Sequence, residues 1–350
     1  MRVLGIESSC DETAAAVVDE TGRVYADVVR SQVKLHAPYG GVVPELASRD
    51  HMRAVSLVVR EALDRVGGFE NIDGIAATTR PGLAGALLVG VQVAKGIAWA
   101  RELPFVGVDH LVGHLLAVFL EREGAPAEKP EYPFIALLAS GGHTAIYRVD
   151  GPDLLQIREL GGTRDDAAGE AFDKIAKLLG LGYPGGPIVD RLAAQGRAEN
   201  FPVPLPMARR DSLELSFSGL KTYVARALAE RGLPEDEAGI ADICAGFQRA
   251  VVTSLVNKTL RAAKLEGIDT VVLCGGVAAN RELRARAAAA CEKAGKKLIV
   301  PAFASCTDNA AMIAYAGALR LARGERDDFS VPTSTHTSLL RVTRKGGGRR

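Results

Sequence analysis

The stretch Phe134-Ile-Ala-Leu-Leu-Ala-Ser-Gly-Gly-His-Thr144 decides the fold, because it opens the second half of the chain with a unit that the first half already contains. Its apolar run at 134–139 predicts a strand, and the polar residues 140–144 predict a turn. Two further apolar runs, at 145–149 and 154–160, predict the second and third strands of a meander. The second half of the chain therefore begins with three strands, of which the first two are joined by a polar turn.

The N-terminal half shows the same order of elements. Residues 2–7 predict a strand, residues 8–13 a turn rich in acids and hydroxyls, and residues 14–18 a second strand. A third strand is predicted at 24–29, and the glycine, prolines and charges of 121–132 predict a linker between the halves. In each half the meander is followed by alternating helices and strands. This duplicated βββαβα unit predicts a mixed α/β fold of two lobes with a ligand cleft between them.

Composition places the chain among globular proteins. Of its 350 residues, 47% are hydrophobic and 24% charged. No apolar run is long enough to span a membrane, and the N-terminus lacks the features of a signal peptide, so we expect a cytoplasmic protein without membrane contact. The 5 cysteines are scattered without CxxC spacing, and we expect no disulfide framework in this compartment.

The charge balance bears on nucleic-acid binding. A net charge of +1 gives no general basic surface for nucleic acid, so RNA would have to be bound by a local patch or through a partner protein. The basic end at 344–350 could contribute, although a solvated tail is the plainer interpretation of such a segment.

Two histidines of the segment Asp109-His-Leu-Val-Gly-His114 lie four residues apart in a predicted helix. Residues at i and i+4 share a helix face, so both imidazoles can reach one divalent ion. The zinc-protease signature HExxH has the same spacing, but Leu111 stands where that signature has its catalytic Glu. The spacing favours a metal site over a protease, and a pair of histidines on a polar helix face is the ordinary alternative.

Three polar turns follow apolar strands and are candidates for binding phosphate. The turns at 8–13 and 140–144 each join two strands, and the backbone N–H groups of such turns can face an anion. Gly275-Gly276 lies between a predicted strand and a predicted helix, where a phosphate can rest against the helix N-terminus. None of the three is a Walker loop, which requires a GK[ST] motif. Each turn alone is also compatible with ordinary turn chemistry.

Several short motifs, taken together and in order, point to one family. They are Gly5-Ile-Glu-Ser-Ser-Cys-Asp-Glu-Thr13, His110-x3-His114, Ser140-Gly-Gly-His-Thr144, Asp166-x6-Asp173-Lys174, Ser216-Phe-Ser-Gly-Leu-Lys-Thr222, Gly275-Gly276-Val277-x2-Asn280-Arg281 and Cys306-Thr-Asp-Asn309. The set closely resembles the bacterial branch of the universal tRNA N6-threonylcarbamoyladenosine synthase family, once described as O-sialoglycoprotein endopeptidases. The resemblance extends from Arg2 to Gly324, which is nearly the whole chain.

The resemblance implies an α/β fold of the actin, hexokinase and Hsp70 ATPase (ASKHA) type, with two RNase H-like lobes and an interlobe cleft. We expect the N-terminal lobe at 1–125, rejoined by the last helix at 307–323, and the C-terminal lobe at 130–306. Residues 324–350 are then a C-terminal extension with a basic, flexible end.

The activity implied by the resemblance is transfer of the L-threonylcarbamoyl group from threonylcarbamoyl-AMP to N6 of adenosine 37, with release of AMP, in tRNAs that read codons beginning with A. It also implies one divalent metal ion per subunit, iron or else zinc, held by His110, His114 and Asp308. The residues expected to contact the adenylate are Leu138, Ala139, Ser140, Gly141, Gly142, Asp173, Gly186, Asp190 and Asn280. The implied partners are tRNA, threonylcarbamoyl-AMP, a protein of the same fold (TsaB) and a P-loop ATPase (TsaE).

The chemistry of this reaction gives each group a task. The adenosine amine is a poor nucleophile because its lone pair is delocalised into the ring, so a metal with open coordination positions would polarise and orient the donor. We expect glycine N–H groups to approach the phosphate, and Asp173 and Asp190 to accept hydrogen bonds from ribose hydroxyls. Asp11, with Glu12 as the alternative, is the candidate for taking the amine proton.

Three other functions and one departure from the family pattern stay open at this stage. The same fold also serves ATPases and sugar kinases, the older description suggests a metalloprotease, and a non-catalytic scaffold is the third alternative. Arg80-Pro81-Gly82 stands where the family usually has Gly-Pro-Gly. Arg80 is expected either to contact phosphate or tRNA in the cleft or to face a partner protein.

Overall fold

A computed structural model describes residues 1–124, 128–207 and 212–341 of the chain. Its strands are β1 (Arg2–Glu7), β2 (Glu12–Asp19), β3 (Val24–Ser31), β4 (Gly74–Arg80), β5 (Phe105–Asp109), β6 (Phe134–Ala139), β7 (Thr144–Val149), β8 (Ile157–Gly162), β9 (Thr270–Cys274), β10 (Lys297–Ile299) and β11 (Leu340–Arg341). Its helices are α1 (Val33–His36), α2 (Pro44–Asp64), α3 (Ala84–Arg101), α4 (His110–Leu116), α5 (Ala168–Leu178), α6 (Gly185–Ala193), α7 (Ser218–Arg231), α8 (Glu237–Glu266), α9 (Arg281–Lys293), α10 (Phe303–Cys306) and α11 (Ala310–Ala322).

The two sheets have the same strand order. Sheet 1 runs β3-β2-β1-β4-β5, and sheet 2 runs β8-β7-β6-β9-β10 with β11 added beside β8. In both sheets the three-stranded meander is antiparallel, and the two later strands run parallel to the first strand. The predicted duplication of a βββαβα unit is confirmed by this shared order.

Sheets and helices alternate in layers, and the central layer is helical. Helices α2 and α3 cover the outer face of sheet 1, in a core that includes Leu4 and Val58. Helices α4 and α11 lie between the two sheets, since Val3 of β1 and Phe134 of β6 belong to one core together with both helices. Helices α5 to α9 cover the outer face of sheet 2. The helix that carries the histidine pair is therefore enclosed between the lobes.

Helix α11 contacts sheet 1 although it follows the second lobe in sequence. It lies against β1, β2 and β4 and against α4. Asn309 caps it, because its side chain accepts the Met312 N–H at 3.0 Å, so the helix begins at Ala310 and not at the predicted residue 307. Asp308 consequently lies in the turn that leads into the helix. The boundaries expected for the two lobes stay a prediction.

Residues 325–341, called the strap below, run along sheet 1 and reach sheet 2. The backbone N–H and the carboxylate of Asp327 both hydrogen-bond the edge strand β5. Farther along, the Ser334 N–H donates to the carbonyl of Thr79 in β4, and β11 pairs with β8. The strap therefore connects edge strands of the two sheets. The basic end expected at 344–350 lies outside the described residues.

Helix α8, with 30 residues, is the longest helix in the described part of the chain. By length and composition it could cross a membrane, but 72% of its apolar window is buried inside the fold. Its buried side chains, among them Phe247 and Leu255, contribute to the core beneath sheet 2. Burial on this scale is typical of the central helix of a globular core.

Candidate metal centre and substrate cleft

Strand β5 runs directly into helix α4, and this junction places the histidine pair between the lobes. Asp109 is the N-cap of α4, with its side chain accepting a backbone N–H of the first turn at 3.0 Å. Gly113 lets α4 approach α11 closely, since a Cβ there would lie 2.9 Å from an α11 side chain. The close approach brings His110 and His114 next to the turn that contains Asp308.

The three residues expected as metal ligands meet in space. Nε2 of His114 lies 3.0 Å from Oδ1 of Asp308, and Nε2 of His110 lies 3.5 Å from the same oxygen. One ligand atom from each residue lies within 4.8 Å of the others. Metal–ligand bonds of about 2.1 Å in a tetrahedral arrangement place neighbouring ligand atoms about 3.4 Å apart. The trio therefore fits one divalent ion and leaves coordination positions for water or substrate.

The surroundings of His114 support the fit to a metal. The side chain is fully buried, and within the described residues its Nδ1 has no hydrogen-bond partner. Its Nε2 lies near Asp308. Buried polar atoms without a partner are rare, and those that occur are concentrated at functional sites. The ring packs edge-to-face against that of His110, with centroids 4.6 Å apart, and presents Nε2 to the cluster.

Glu7 belongs to this centre, and the sequence analysis missed it. Its Oε2 lies 2.9 Å from His110 Nδ1 and accepts the Thr78 hydroxyl at 2.6 Å. A buried carboxylate that accepts the Nδ1–H of a histidine fixes the tautomer and leaves Nε2 free to bind a metal. The sequence signal for this role is an acid at the end of an otherwise apolar strand.

The charged forms of Glu7, His110 and Asp308 stabilise one another although all three side chains lie in the interior. Burial lowers the pKa of His110, but the carboxylates of Glu7 and Asp308 outweigh it and hold that pKa well above its ordinary value. Burial raises the pKa of Glu7 and of Asp308, and the charge and hydrogen bonds of His110 outweigh it, so both pKa values are lowered. A bound cation would compete with a proton for His110 Nε2, so metal binding here would release a proton.

The turn between β1 and β2 is acidic, and burial has a large effect on Glu12. Burial, followed by the negative charges of Asp11 and Asp308, raises the pKa of Glu12 to about 10. The Ser31 hydroxyl donates to the same carboxyl at 3.0 Å. A carboxyl with so raised a pKa is poorly suited to accept a proton near pH 7, which favours Asp11 over Glu12 for that task; both assignments stay predictions. Asp11 is the base candidate that this turn offers.

Buried neighbours hold the acidic turn in place. The Ser8 hydroxyl donates to the carbonyl of Ala86 in α3 at 2.9 Å. From α2, the fully buried His51 places Nε2 3.0 Å from the Cys10 carbonyl and Nδ1 2.8 Å from the Thr13 hydroxyl. Both helices on the outer face of sheet 1 thus fix the conformation of the turn.

The equivalent turn of the second lobe, between β6 and β7, is open. Ser140 closes it, because its hydroxyl accepts the His143 N–H at 3.1 Å and its own N–H donates to the His143 carbonyl at 2.8 Å. Gly141 and Gly142 are exposed, and a Cβ on either would meet no atom within 4 Å. These glycines leave the backbone N–H groups of the turn accessible to a phosphate.

His143 of the same turn lies near the metal ligands, and the sequence analysis gives it no role. Burial, followed by the positive charges of His110 and His114, lowers the pKa of His143 to about 4. The residue is therefore a neutral imidazole near pH 7. The influence of the two histidines on His143 shows that the glycine turn of the second lobe faces the histidine helix.

Asp173 and Gly186 lie on the second lobe, and Asp173 is within reach of the acidic turn. Burial raises the pKa of Asp173 to about 6. The hydrogen bond from the Gly185 N–H, 2.7 Å long, lowers this pKa, whereas the negative charge of Asp11 raises it further. Asp11 and Asp173, from different lobes, therefore lie within range of each other's charge. At Gly186 a Cβ would meet no atom within 4 Å, so its backbone is accessible.

Two of the residues expected to contact the adenylate are buried in a strand. Leu138 and Ala139 lie in β6, where their side chains are buried, and β6 pairs with β7 on one side and β9 on the other. Their side chains contribute to the interior and not to the surface of the cleft. Within residues 138–142, contact with the adenylate is therefore available from Ser140, Gly141 and Gly142.

Two further residues of that set are engaged with protein groups. Asn280 caps α9 and donates from Nδ2 to Gln248 Oε1 at 2.7 Å, which uses both ends of its amide. Asp190 accepts from Arg281 Nε at 2.7 Å through Oδ2. Asn280 thus fixes the start of the helix that follows the Gly275-Gly276 turn, and Asp190 is engaged in an ion pair.

Arg80 has a hydrogen-bond partner within its own chain. Its Nη1 donates to the Ser338 hydroxyl of the strap at 2.6 Å. The side chain therefore binds another part of the same chain, and the contacts expected of it with phosphate or tRNA, or with a partner protein, stay predictions. This internal contact forms because the strap runs over the end of β4, where Arg80 lies.

Solved structures with the same fold define the class of protein. Full-length HypF, in a phosphate- and nucleotide-bound form, superposes with a TM-score of 0.62 at 13% identity, covering 96% of this chain and 47% of that one. Component A of the (R)-2-hydroxyglutaryl-CoA dehydratase of Acidaminococcus fermentans gives 0.51 at 15% identity, covering 92% and 99%. At such identities the likeness shows the fold alone. The chain has the two-lobed ASKHA-type fold, which confirms the expected fold class.

Sequence comparison identifies the family. The model of the TsaD family, tRNA N6-adenosine threonylcarbamoyltransferase, matches residues 23–315. A curated relative of that name from Sorangium cellulosum is 70% identical over 100% of both chains, and one from Geobacter metallireducens is 52% identical over 95% of each. The chain belongs to the TsaD family. It is accordingly an acyltransferase that modifies tRNA at N6 of adenosine, and the resemblance seen in its motifs is confirmed.

Proposed function

We propose that the chain takes the L-threonylcarbamoyl group from threonylcarbamoyl-AMP, transfers it to adenosine 37 of tRNAs that read codons beginning with A, and releases AMP. The observation that carries this proposal is the convergence of His110, His114 and Asp308 opposite an open glycine turn. A cation site and an anion site that face each other suit a donor with a carbonyl group next to a phosphate.

One divalent ion, iron or else zinc, would be held by His110, His114 and Asp308. When bound, it supplies Lewis-acid polarisation of the donor carbonyl. Two imidazoles and one carboxylate form a ligand set that suits Fe²⁺ and also Zn²⁺. Glu7 orients His110 for this role through Nδ1, and the buried surroundings of His114 hold its ring in place.

The second lobe would bind the adenylate part of the donor. Gly141 and Gly142 offer backbone N–H groups to the phosphate, because neither carries a side chain and the space beside each is open. Asp173 is ionised in the greater part of the molecules at pH 7, since its pKa is about 6, and it can accept hydrogen bonds from ribose hydroxyls. Asp190 would contribute from within its pair with Arg281.

The transfer step forms a bond from N6 to the carbamoyl carbon and breaks the bond from that carbon to a phosphate oxygen. AMP leaves with the electron pair of the broken bond, and the N6 proton passes to a base. We assign this task to Asp11, because it is partly exposed, whereas burial raises the pKa of its neighbour Glu12 to about 10. Because the amine is a poor nucleophile, accurate placement of both substrates carries much of the rate.

The test is a single-turnover transfer assay combined with metal analysis of the same samples. His110→Ala and Asp308→Ala are each expected to lose the ion and to slow transfer by about 10³-fold. Asp269→Ala removes an exposed carboxylate and is the matched control that should keep both. Full transfer by a metal-free His110→Ala protein would remove the metal from the mechanism. Likewise, an unchanged rate in Asp11→Asn would remove Asp11.

We also propose that a same-fold protein (TsaB) and a P-loop ATPase (TsaE) act with the chain. Support for the first comes from helix α3, whose outer face exposes Leu88 by 48% and Trp99 by 74%. The charged residues of α3 are Lys95, which is buried, and Arg101 at its end. Met52 of the neighbouring α2 is 62% exposed. An uncharged, apolar face of this kind is typical of a protein interface.

Mixing experiments test the first partner. Leu88→Asp is expected to weaken the complex with TsaB at least tenfold, as measured by light scattering after gel filtration, because a buried carboxylate would be left unpaired. Leu265→Asp, at a leucine of α8 that is 47% exposed, is the matched control. An equally stable complex with Leu88→Asp would exclude this face of α3.

The proposed compartment is the cytoplasm, in agreement with a tRNA substrate. Membership of the TsaD family favours the transferase over the ATPase, sugar-kinase, metalloprotease and scaffold alternatives. Rapid ATP hydrolysis by this chain alone, without transfer to tRNA, would reverse that preference.

A further inference from the structure

The strap makes a direct contact with the residue that begins the histidine helix. Asp109 divides its carboxylate between two tasks: one oxygen, Oδ1, caps α4, and the other, Oδ2, accepts from the strap. The strap donors are the Thr337 hydroxyl at 2.7 Å and the Ser338 N–H at 3.2 Å. Hydrogen bonds to a carboxylate are shorter and stronger than those between neutral groups, and Asp109 is only 8% exposed.

The strap is held firmly on both sides of this contact. Arg80 donates to the Ser338 hydroxyl at 2.6 Å, and Arg80 is the partner of Asp109 in the β4–β5 ladder. On the N-terminal side of this contact, the strap carbonyls of Phe329 and Val331 accept hydrogen bonds from Nζ of the buried Lys95 of α3, at 2.8 Å and 2.7 Å. After it, Leu339 is buried in the core between the lobes.

The far end of the strap is fixed to the second lobe. Strand β11 pairs with β8, and Arg341 forms ion pairs with Glu159 at 3.2 Å and with Glu214 at 2.7 Å. The segment that holds Asp109 is thus tied to both sheets. Because His110 is the next residue in the chain, the position of the Asp109 backbone sets where the His110 ring can lie.

We infer that Thr337 and Ser338 are positioning residues of the metal centre, acting through Asp109, and that Arg80 holds the strap so that they can do so. This inference rests on the metal site proposed above. Glu7 fixes the ring of His110 from one side, and the strap fixes the start of its helix from the other. The strap therefore sets the affinity and geometry of the centre without touching the ion or the substrates.

The test measures Co²⁺ binding by the full chain, using the visible absorption of the bound ion to report both affinity and geometry. Thr337→Val is expected to weaken Co²⁺ binding about three- to tenfold and to alter the shape of the absorption band. Losing a residue that hydrogen-bonds a metal ligand typically lowers metal affinity 10- to 100-fold, and Thr337 bonds only the residue next to a ligand, so its effect should be smaller. Thr337→Ser keeps the hydroxyl and should restore both. Arg80→Gly should give a smaller change in the same direction.

Thr335→Val is the matched control, because Thr335 lies on the same strap and its hydroxyl contacts only its neighbour His336 in the described hydrogen bonds. Thermal unfolding of each variant checks that the fold is intact. Wild-type affinity and wild-type spectra in a folded Thr337→Val protein would overturn the inference while leaving the proposed function standing. Co²⁺ binding that survives Asp308→Ala would instead overturn the proposed metal site, and the inference would fall with it.

Discussion

The two turns that join the first strands of each sheet occupy the same place in the repeated unit, but their interiors differ. In sheet 1 the turn is held by groups that are already bonded: the Ser8 hydroxyl to helix α3, and the Cys10 carbonyl and the Thr13 hydroxyl to His51. In sheet 2 the ends of the turn are bonded, through Ser140 to His143 and through Thr144 to Ala168, but the space beside its two glycines is empty.

The difference shows how the same turn of a repeated fold can support a metal ligand in one lobe and bind an anion in the other. A filled turn with a buried acid beneath it can hold a histidine in one orientation, as Glu7 does for His110. A turn without side chains can only offer its backbone, which suits an anion that must arrive and leave. We therefore expect changes in the first turn to act on the metal and changes in the second to act on the donor.

The largest expected effect is that of Glu7→Gln. The change keeps the shape of the side chain but removes the negative acceptor for the His110 Nδ1–H, so metal affinity should fall about 10- to 100-fold. Titration of the apo protein with Fe²⁺ or Zn²⁺ measures it. Thr78→Val, which removes a different hydrogen bond to the same carboxylate, is the control and should change affinity by less than about threefold. Equal affinities for Glu7→Gln and wild type would contradict the role given to the first turn.

Gly142→Val should have the next largest effect, and on the donor alone. The new side chain would occupy the open space beside the turn, so the KM for threonylcarbamoyl-AMP should rise about tenfold, the equivalent of one lost hydrogen bond to a charged group. Steady-state transfer kinetics measure the change, and metal content serves as the internal control. A Gly142→Val protein that loses its metal but binds the donor normally would reverse the assignment of the two turns.

The smallest effect is a pH dependence that links the two lobes. Asp173 has a pKa of about 6, so lowering the pH from 7 to 5 leaves about a tenth of it ionised, and the donor KM should rise up to about tenfold. Because the negative charge of Asp11 contributes to raising this pKa, Asp11→Asn should move the midpoint of the profile to lower pH. The profile is measured as KM against pH, and Asp173→Asn should flatten it. A midpoint that does not move in Asp11→Asn would show that the charge of Asp11 does not affect the pKa of Asp173.

The fold could be predicted because the sequence patterns that indicate it lie within short segments of the chain. Apolar runs of strand length separated by polar turns appear twice, and the resulting repeat is sufficient to predict two equivalent sheets. The histidine pair was predictable for a similar reason, since i and i+4 spacing on a helix is fixed by helix geometry. The start of the last helix was misplaced because Thr307 and Asn309 are both good caps, and only tertiary contacts select between them.

The rest of the site depends on contacts between distant parts of the chain. Glu7 resembles the end of a strand until His110 is placed beside it, more than a hundred residues later in the sequence. The side chains of Leu138 and Ala139 turn into the core because β6 is a central strand of its sheet. The strap has no periodicity that marks its course, so its contacts with Asp109 and Arg80 could not be read from the sequence.

The position of α11 has a consequence for the order in which the protein is made. His114 and Asp308 are separated by 194 residues, so at about 5–20 residues per second the ribosome adds the third ligand about 10–40 s after the histidines. Until α11 is synthesised, the inner face of sheet 1 lacks the helix that covers it. A nascent or truncated chain that ends before Asp308 therefore exposes apolar surface and cannot form the three-residue cluster, so the centre is completed only when nearly all of the chain has been translated.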